Sequence, residues 1–252
     1  MKKFVLLLLF WLIAFRVEAQ TIVIGATNPA TTTPLFDPSQ MVYVYDNFPI
    51  CGSFPNQVGA IGWTSNAQAT LSAIASASAT QVGTCTISTG AVANNIGDME
   101  LGLISGGVDQ FMLASASFDC VYIVELNQTD ANTTFRLGVA DAPYTNPPTN
   151  NGVYMEKLTS DTDWFFVTRA AASQTRVDSG LAADTNFHRW RVRRINSTTV
   201  GFTLDKGAEV TQTSTVPGAT AVGPFFQAVT TAAAAKTYTV SFFSCLITNL
   251  GR

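Results

Sequence analysis

From Met41 onward the chain alternates short runs rich in Val, Ile, Thr, Tyr and Phe with clusters of Gly, Asn, Asp and Pro. The clearest runs are MVYVY, GTCTIST, MELGLI, CVYIVEL, TFRLGVA, GVYMEKL, WFFVTR, RWRVRR, VGFTLD, PFFQAV and TYTVSFFSCLI. β-branched and aromatic residues suit a pleated, half-buried surface, and the separating residues suit tight turns. No stretch as long as about 12 residues carries a capped helical period. The Ala-rich AIASASAT places Ser and Thr at alternate positions and reads as a strand too. The pattern predicts an all-β protein, an antiparallel two-sheet jelly-roll sandwich of about 12–15 strands. No repeat of fixed period is visible, which argues against a propeller or solenoid.

The N-terminus points to export. Lys2 and Lys3 precede an unbroken apolar run from Phe4 to Phe15, and Val17-Glu18-Ala19 follows as a small-residue cleavage site. Twelve residues are too few for a membrane-spanning helix, which needs about 18 or more. Residues 1–19 are read as a signal peptide, 20–40 as an extended Thr/Pro-rich leader and 41–252 as the sandwich domain, secreted and free of the membrane after cleavage. Charged residues make up only 12%, with Ala, Thr, Ser, Gly and Asn filling surface positions. Cleavage would remove three of the 14 basic residues and one of the 17 acidic ones. A chain this acidic is a poor general partner for nucleic acid. Cys51, Cys85, Cys120 and Cys245 predict two disulfides, with three connectivities open. One histidine and no Cys-x-x-Cys pair leave no usual zinc set. Three Asn-x-Ser/Thr sequons, at Asn127, Asn132 and Asn196, should be exposed if they carry glycans.

The order of the runs adds a family. GTCTISTG, FDCVYIVEL, FRLGVAD, NNGVYMEK, DWFFVTR, NFHRWRVRR, VGFTLDKG, GPFFQAV and KTYTVSFFSCLITN follow one another over roughly residues 42–249. This order resembles the concanavalin A-like lectin/glucanase sandwich, in the version found in bacteriophage and prophage virion proteins such as tail, neck or head-fibre appendages. Phe187 stands where Trp is commoner, and Lys206 precedes the hairpin glycine. The resemblance implies a secreted or virion-exposed attachment module that binds glycan or another surface. It leaves room for virion or filament subunits and for copies of the same chain as partners. In that sandwich the last strand runs antiparallel beside an early central one. The resemblance therefore implies Cys120–Cys245 as one bridge and leaves Cys51–Cys85 as the other.

Glycosidases of this fold gather several carboxylates at alternating strand positions. Here only Asp98 and Glu100 approach that pattern, without a third acid, and they read as a solvated strand end; no catalytic residue is assigned. The richest loop for a sugar is DAPYTNPPTNNG, which offers Asp141, Tyr144, Asn146, Asn150 and Asn151. Its Asp-to-Asn spacing is one residue longer than the calcium loop of the lectins it resembles, so no metal or cofactor is expected. Trp164 and Phe166 alternate with Phe165 and Val167, and one pair must meet the core. Trp164 is the candidate sugar platform. In NFHRWRVRR the same alternation puts His188, Trp190 and Val192 on one face and Arg189, Arg191 and Arg193 on the other. The arginines form either a wet ladder or an anion-binding stripe. No Ser or Cys nucleophile motif accompanies His188.

The leader makes one direct prediction. N-terminal sequencing of the exported protein should begin at Gln20; a mature chain beginning at Met1 would contradict the cleavage.

Overall fold

The computed structural model describes residues 41–48, 61, 63, 74–75, 83–101, 112–142, 145–148 and 150–248. Residues 1–40, Cys51 and Tyr144 lie outside these, so the leader, the Cys51–Cys85 pairing and one loop candidate do too. Every regular element among the described residues is a strand.

Eight strands form one antiparallel sheet. Its order is β13 (Val210–Gln212), β12 (Thr199–Leu204), β11 (His188–Asn196), β6 (Ser117–Leu126), β15 (Thr237–Thr248), β3 (Cys85–Ser88) and β2 (Ile74–Ala75), with β1 (Met41–Asp46) on the later half of β15. Seven form the second: β10 (Ser173–Ala182), β9 (Asp163–Ala170), β8 (Gly152–Lys157), β7 (Thr133–Ala140), β14 (Ala221–Thr230) and β4 (Ile96–Glu100), with β5 (Met112–Leu113) also on β14. This is the two-sheet sandwich that the strand spacing predicts. The strand that composition hides is β10. Its sequence SQTRVDSGLA is mostly polar because it is a sheet edge with much of its length in solvent.

Alternation builds the core. Along β6, Phe118, Cys120, Tyr122, Val124 and Leu126 are buried, and the residues between them are half-exposed. On the facing sheet Phe135, Leu137 and Val139 of β7, Val153 and Met155 of β8, and Trp164 and Phe166 of β9 point inward. The sheets touch through aromatic rings. Trp164 meets Trp190 edge-on with centroids 4.4 Å apart, and Phe166 stacks on Phe202 at 5.1 Å. Tyr122 crosses the whole gap, and its hydroxyl donates to the Gly138 carbonyl at 2.8 Å. Burial drives that hydroxyl's pKa well above its ordinary value, so it stays a donor.

In the register of β15 and β6, Cys245 stands directly opposite Cys120, and the two are joined by the disulfide expected from the resemblance. Cys85 is disulfide-bonded as well. The bridge ties an early central strand to the last one, 125 residues away in sequence. Asn127 and Asn132 are exposed in the β6–β7 turn, and Asn196 is exposed at the β11–β12 turn.

Trp190 is fully buried, while Arg191 and Arg193 on the opposite face are half-exposed and Arg189 is exposed. Trp190→Ala should therefore cost about 3–5 kcal/mol, the range for emptying a large aromatic site. Arg191→Ala, which breaks a surface ion pair, should cost about 1 kcal/mol or less. Urea titration of both variants checks this; equal losses would contradict the facing of β11.

Candidate functional site

A strand that feeds the core with alternate side chains leaves the others on the outer face. On the seven-stranded sheet that outer face is polar where exposure does not require it to be. Register places Asp98, Gln227, Arg136, Glu156, Phe165 and Asp178 side by side in one row across six strands. The next row reads Glu100, Phe225, Gly138, Tyr154, Val167 and Arg176. Asp98, Gln227, Arg136, Glu156 and Glu100 are all buried, with 3% exposure at most.

Buried charge is stable only when paired and hydrogen-bonded. Arg136 meets that condition. Its Nε donates to Glu156 Oε2 at 2.6 Å, and its Nη1 donates to Gln227 Oε1 at 2.7 Å and Asn146 Oδ1 at 3.0 Å. Glu156 Oε1 takes a second ion pair from Arg176 Nε at 2.8 Å and a hydrogen bond from Gln174 Nε2 at 3.4 Å. Arg176 also reaches Asp161 and lies over the Phe165 ring, 4.0 Å from its centroid. Arg169 Nη1 donates to Gln174 Oε1 at 2.9 Å. The network runs from the buried centre of the sheet to its β9–β10 edge. There Phe165, Arg169, Gln174 and Arg176 are partly exposed and Asp178 is exposed.

Gly138 makes room for the aromatic part of the face. Its φ of +149° is one that side-chain-bearing residues rarely adopt, and a Cβ there would lie 2.4 Å from the Val153 carbonyl oxygen. In the space above it Tyr154 and Phe225 meet edge-on at 6.0 Å. Burial, and then the charge of Glu156, push the Tyr154 hydroxyl up to about 12 against the opposing pull of Arg136 and Arg169.

The β7–β8 loop lies beside this face. Asp141 accepts from the Asn150 backbone at 3.2 Å and from Asn151 Nδ2 at 3.0 Å, and Asn151 Oδ1 accepts from the Ala171 backbone at 3.2 Å. These three expected ligand residues thus fasten the loop to the β9–β10 turn. Asn146 is exposed and turned to Arg136, and the Thr145 carbonyl accepts from Gln227 Nε2 at 2.8 Å. The loop joins the site through Asn146, while Asp141 is spent on its own framework. Among the described residues no group of three or more His, Cys, Asp or Glu could hold a metal ion.

Three expectations need correction. Trp164 is no sugar platform: it is 1% exposed and packs in the core against Phe135 and Trp190, because β9 turns its Trp164/Phe166 face inward. Its neighbour Phe165 faces outward instead. Asp98 and Glu100 are not a solvated strand end; both are buried on the outer face of β4. The arginine ladder is not an open anion stripe. Arg191 is held by Asp119 through Nε at 2.7 Å and through its terminal nitrogen, and Arg193 grips Glu209 with two nitrogens. Only Arg189 keeps an exposed side chain outside these pairs.

The single histidine is a clip. His188 Nδ1 lies 2.7 Å from Asp205 Oδ2 and Nε2 lies 3.0 Å from Asp184 Oδ1, so both ring nitrogens donate when the ring is charged. Partial burial lowers its pKa, but the bonds and charges of Asp205 and Asp184 outweigh that and hold it above the ordinary 6.5. For Asp184, burial raises the pKa, and the bonds from Asn186 and His188 outweigh it and leave the value below 3.8.

Arg136, Glu156, Arg176, Gln174 and Gln227 carry the site and were not singled out from sequence. For Arg136, Glu156 and Gln227 the usable signal was a charged or amide residue inside an apolar run, as in TFRLGV, VYMEK and PFFQAV, whereas Gln174 and Arg176 lie in the mostly polar β10 and carry no such signal. Such a residue must be paired.

No family model matches the chain, and no curated protein does. Solved structures do. A protein of unknown function from Shewanella oneidensis MR-1 superposes with TM-score 0.60 at 13% identity, covering 88% of this chain and 98% of that one. Peanut lectin gives 0.51 at 14% identity, covering 83% and 98%. The β-glucanase of Bacillus licheniformis gives 0.54 at 10% identity, covering 82% and 97%. The fold is thus the concanavalin A-like lectin/glucanase sandwich.

The His188 clip makes a prediction with a definite sign. A histidine whose pKa rises on folding stabilises fully below 6.5 and loses that contribution as pH climbs through the raised value; Asp184 stabilises fully above 3.8 and loses it in acid. The stability gap between the wild type and His188→Gln should be widest near pH 5–6 and narrow towards about pH 9. Thermal melts across that range check it; a gap that widens with pH would contradict the clip.

Proposed function

We propose that this protein is a non-catalytic attachment module that holds glycan against the outer face of its seven-stranded sheet. The observation that carries this reading is the accessible β9–β10 end of the polar network. There Arg176 lies over the partly exposed Phe165 ring, Gln174 bonds both Glu156 and Arg169, and the exposed Asn146 holds Arg136. A sugar offers hydroxyls that need fixed donors and acceptors, and an apolar ring face that packs on an aromatic. The network fixes those groups before any ligand arrives, which lowers the ordering cost of binding. The fold supports the reading, because its structural neighbours include peanut lectin. The signal sequence and the virion-type strand order support display outside the cell or on a virion surface.

The state of Glu156 supports binding over turnover. A hydrolase of this class needs one carboxyl free to give a proton and another to attack or to activate water. Both oxygens of Glu156 are already taken by Arg136, Arg176 and Gln174. A second reading, hydrolysis, is favoured by one observation. Asp98 and Glu100 lie on this same outer face, two residues apart on one strand, a spacing of about 6–7 Å.

Glycan-array binding followed by calorimetry tests the proposal. Gln174→Ala and Asn146→Ala should each weaken binding by about tenfold, the loss of one or two hydrogen bonds, and Thr203→Ala on the other sheet should leave it unchanged. No reducing ends should be released from laminarin, agar, alginate or peptidoglycan. Release that Glu100→Gln abolishes would establish the second reading, and glycan binding that ignores Gln174 and Asn146 would move the site elsewhere.

A further inference from the structure

The glycan contacts proposed on β10 stand on its outer face, and its inner face is held by a segment that the proposed site does not use. Alternation turns Gln174 and Arg176 outward, so Thr175 between them faces into the sandwich, and register sets it opposite Thr168 of β9. Thr168 shares the inward side of β9 with Trp164 and Phe166 and is fully buried. Hydroxyls turned inward need partners. These come from the edge of the other sheet, from β13 and residues 213–218 that follow it. Thr168 Oγ1 lies 2.8 Å from Gln212 Oε1 and 2.8 Å from the Ser214 carbonyl oxygen. Gln212 Nε2 donates to the Phe166 carbonyl at 2.8 Å. Thr215 Oγ1 donates to the Thr168 carbonyl at 3.0 Å and lies 2.9 Å from Thr175 Oγ1. Beyond it Val216 packs against the core, and the Pro217 carbonyl accepts from Arg194 Nη1 at 2.7 Å. Residues 213–218 are thus a strap that ties the eight-stranded sheet to the β9–β10 edge.

Thr215 is the unusual residue of the strap. Its φ is +48°, in the left-handed region where a β-branched side chain is an outlier. Such a conformation persists only where the surroundings over-determine it. The contacts of its hydroxyl with Thr168 and Thr175 do so here. We propose that Thr215 is a positioning residue of the glycan site: through Thr175 it holds β10 where Gln174 and Arg176 meet a ligand. This role rests on the glycan reading above. An edge strand has ladder bonds on one side only and opens readily. β10 is such an edge, with much of its length exposed. Yet Gln174 must reach Glu156 and Arg169 together, and Arg176 must reach Glu156, Asp161 and the Phe165 ring. A displaced β10 would lose several of these contacts at once. A pin on the inner side of Thr175 fixes the backbone between the two. Thr215 touches no ligand and sets how well the ligand-facing groups are preorganised.

Amide hydrogen exchange on the mature protein, followed by calorimetry with an array-selected oligosaccharide, tests this. Thr215→Gly suits the left-handed backbone and removes the hydroxyl. It should speed amide exchange in residues 173–178 by about fivefold and weaken binding by about fivefold, the loss of one hydrogen bond, while β6 and β11 exchange as before. Thr175→Val removes the other hydroxyl at nearly constant shape; it should give the same two shifts and serves if the glycine variant does not fold. Thr215→Ser keeps the hydroxyl and should match the wild type in both. A strap that is merely structural would lower the melting temperature and leave affinity unchanged wherever the variant is folded; that result overturns the positioning role. So does wild-type exchange in β10 for both Thr215→Gly and Thr175→Val. A wild type that binds no glycan contradicts the function proposed above instead, and the exchange rates alone then decide whether Thr215 holds β10.

Discussion

Facing is the constraint on which the rest of this structure depends. Each strand has two sides, and the cross-sheet contacts of a few aromatic residues decide which side goes in. Trp164 against Trp190, Phe166 against Phe202 and the Tyr122 hydroxyl on the Gly138 carbonyl fix β9, β11, β12, β6 and β7 at once. A one-residue slip in any of them would turn its apolar set outward. The Cys120–Cys245 bridge locks the pairing of β6 with β15 at the centre of the eight-stranded sheet. Once these strands face inward as they do, the residues left outside are determined. One sheet presents a polar network, and the other presents a mixed face in which Val121, Ile123, Phe242 and Leu246 lie with Asp119 and Ser244 between tyrosines and arginines.

The polar network is the less expected of the two. A guanidinium and a carboxylate at 3% and 1% exposure cost free energy to desolvate, and their mutual attraction only offsets it when the remaining donors and acceptors are also matched. Here Gln227, Asn146, Gln174 and Arg176 do the matching. Such pairs rarely add stability over an apolar core, so their presence on an outer face favours a task. In the function proposed above, that task is to hold the groups near Phe165 in fixed positions for a ligand.

Most of the architecture was legible in the sequence. The strand runs, the burial of Trp190 and the exposure of its flanking arginines follow from period-two patterning, which is local. The facing of β9 was not legible, because both alternating sets in WFFV are apolar and only the partner sheet chooses between Trp164 and Phe165. The edge strand β10 was missed because an edge in solvent needs no apolar side. The Arg136–Glu156 pair joins residues 20 apart on neighbouring strands, so its partnership exists only after the sheet is assembled. By composition the loop at 141–152 is a candidate ligand cradle. Its Asp and Asn residues serve first as fasteners, a role that composition does not separate from binding.

The central claim is that ligand is received on the outer face of the seven-stranded sheet, at its β8–β10 end. Backbone amide NMR of the mature protein during titration with an oligosaccharide selected on an array tests it most directly. The account predicts that the shifted amides cluster in residues 145–157 and 165–178, with β6, β11 and β12 unmoved. Shifts concentrated on β6, β11 and β12, with residues 145–178 silent, would contradict it.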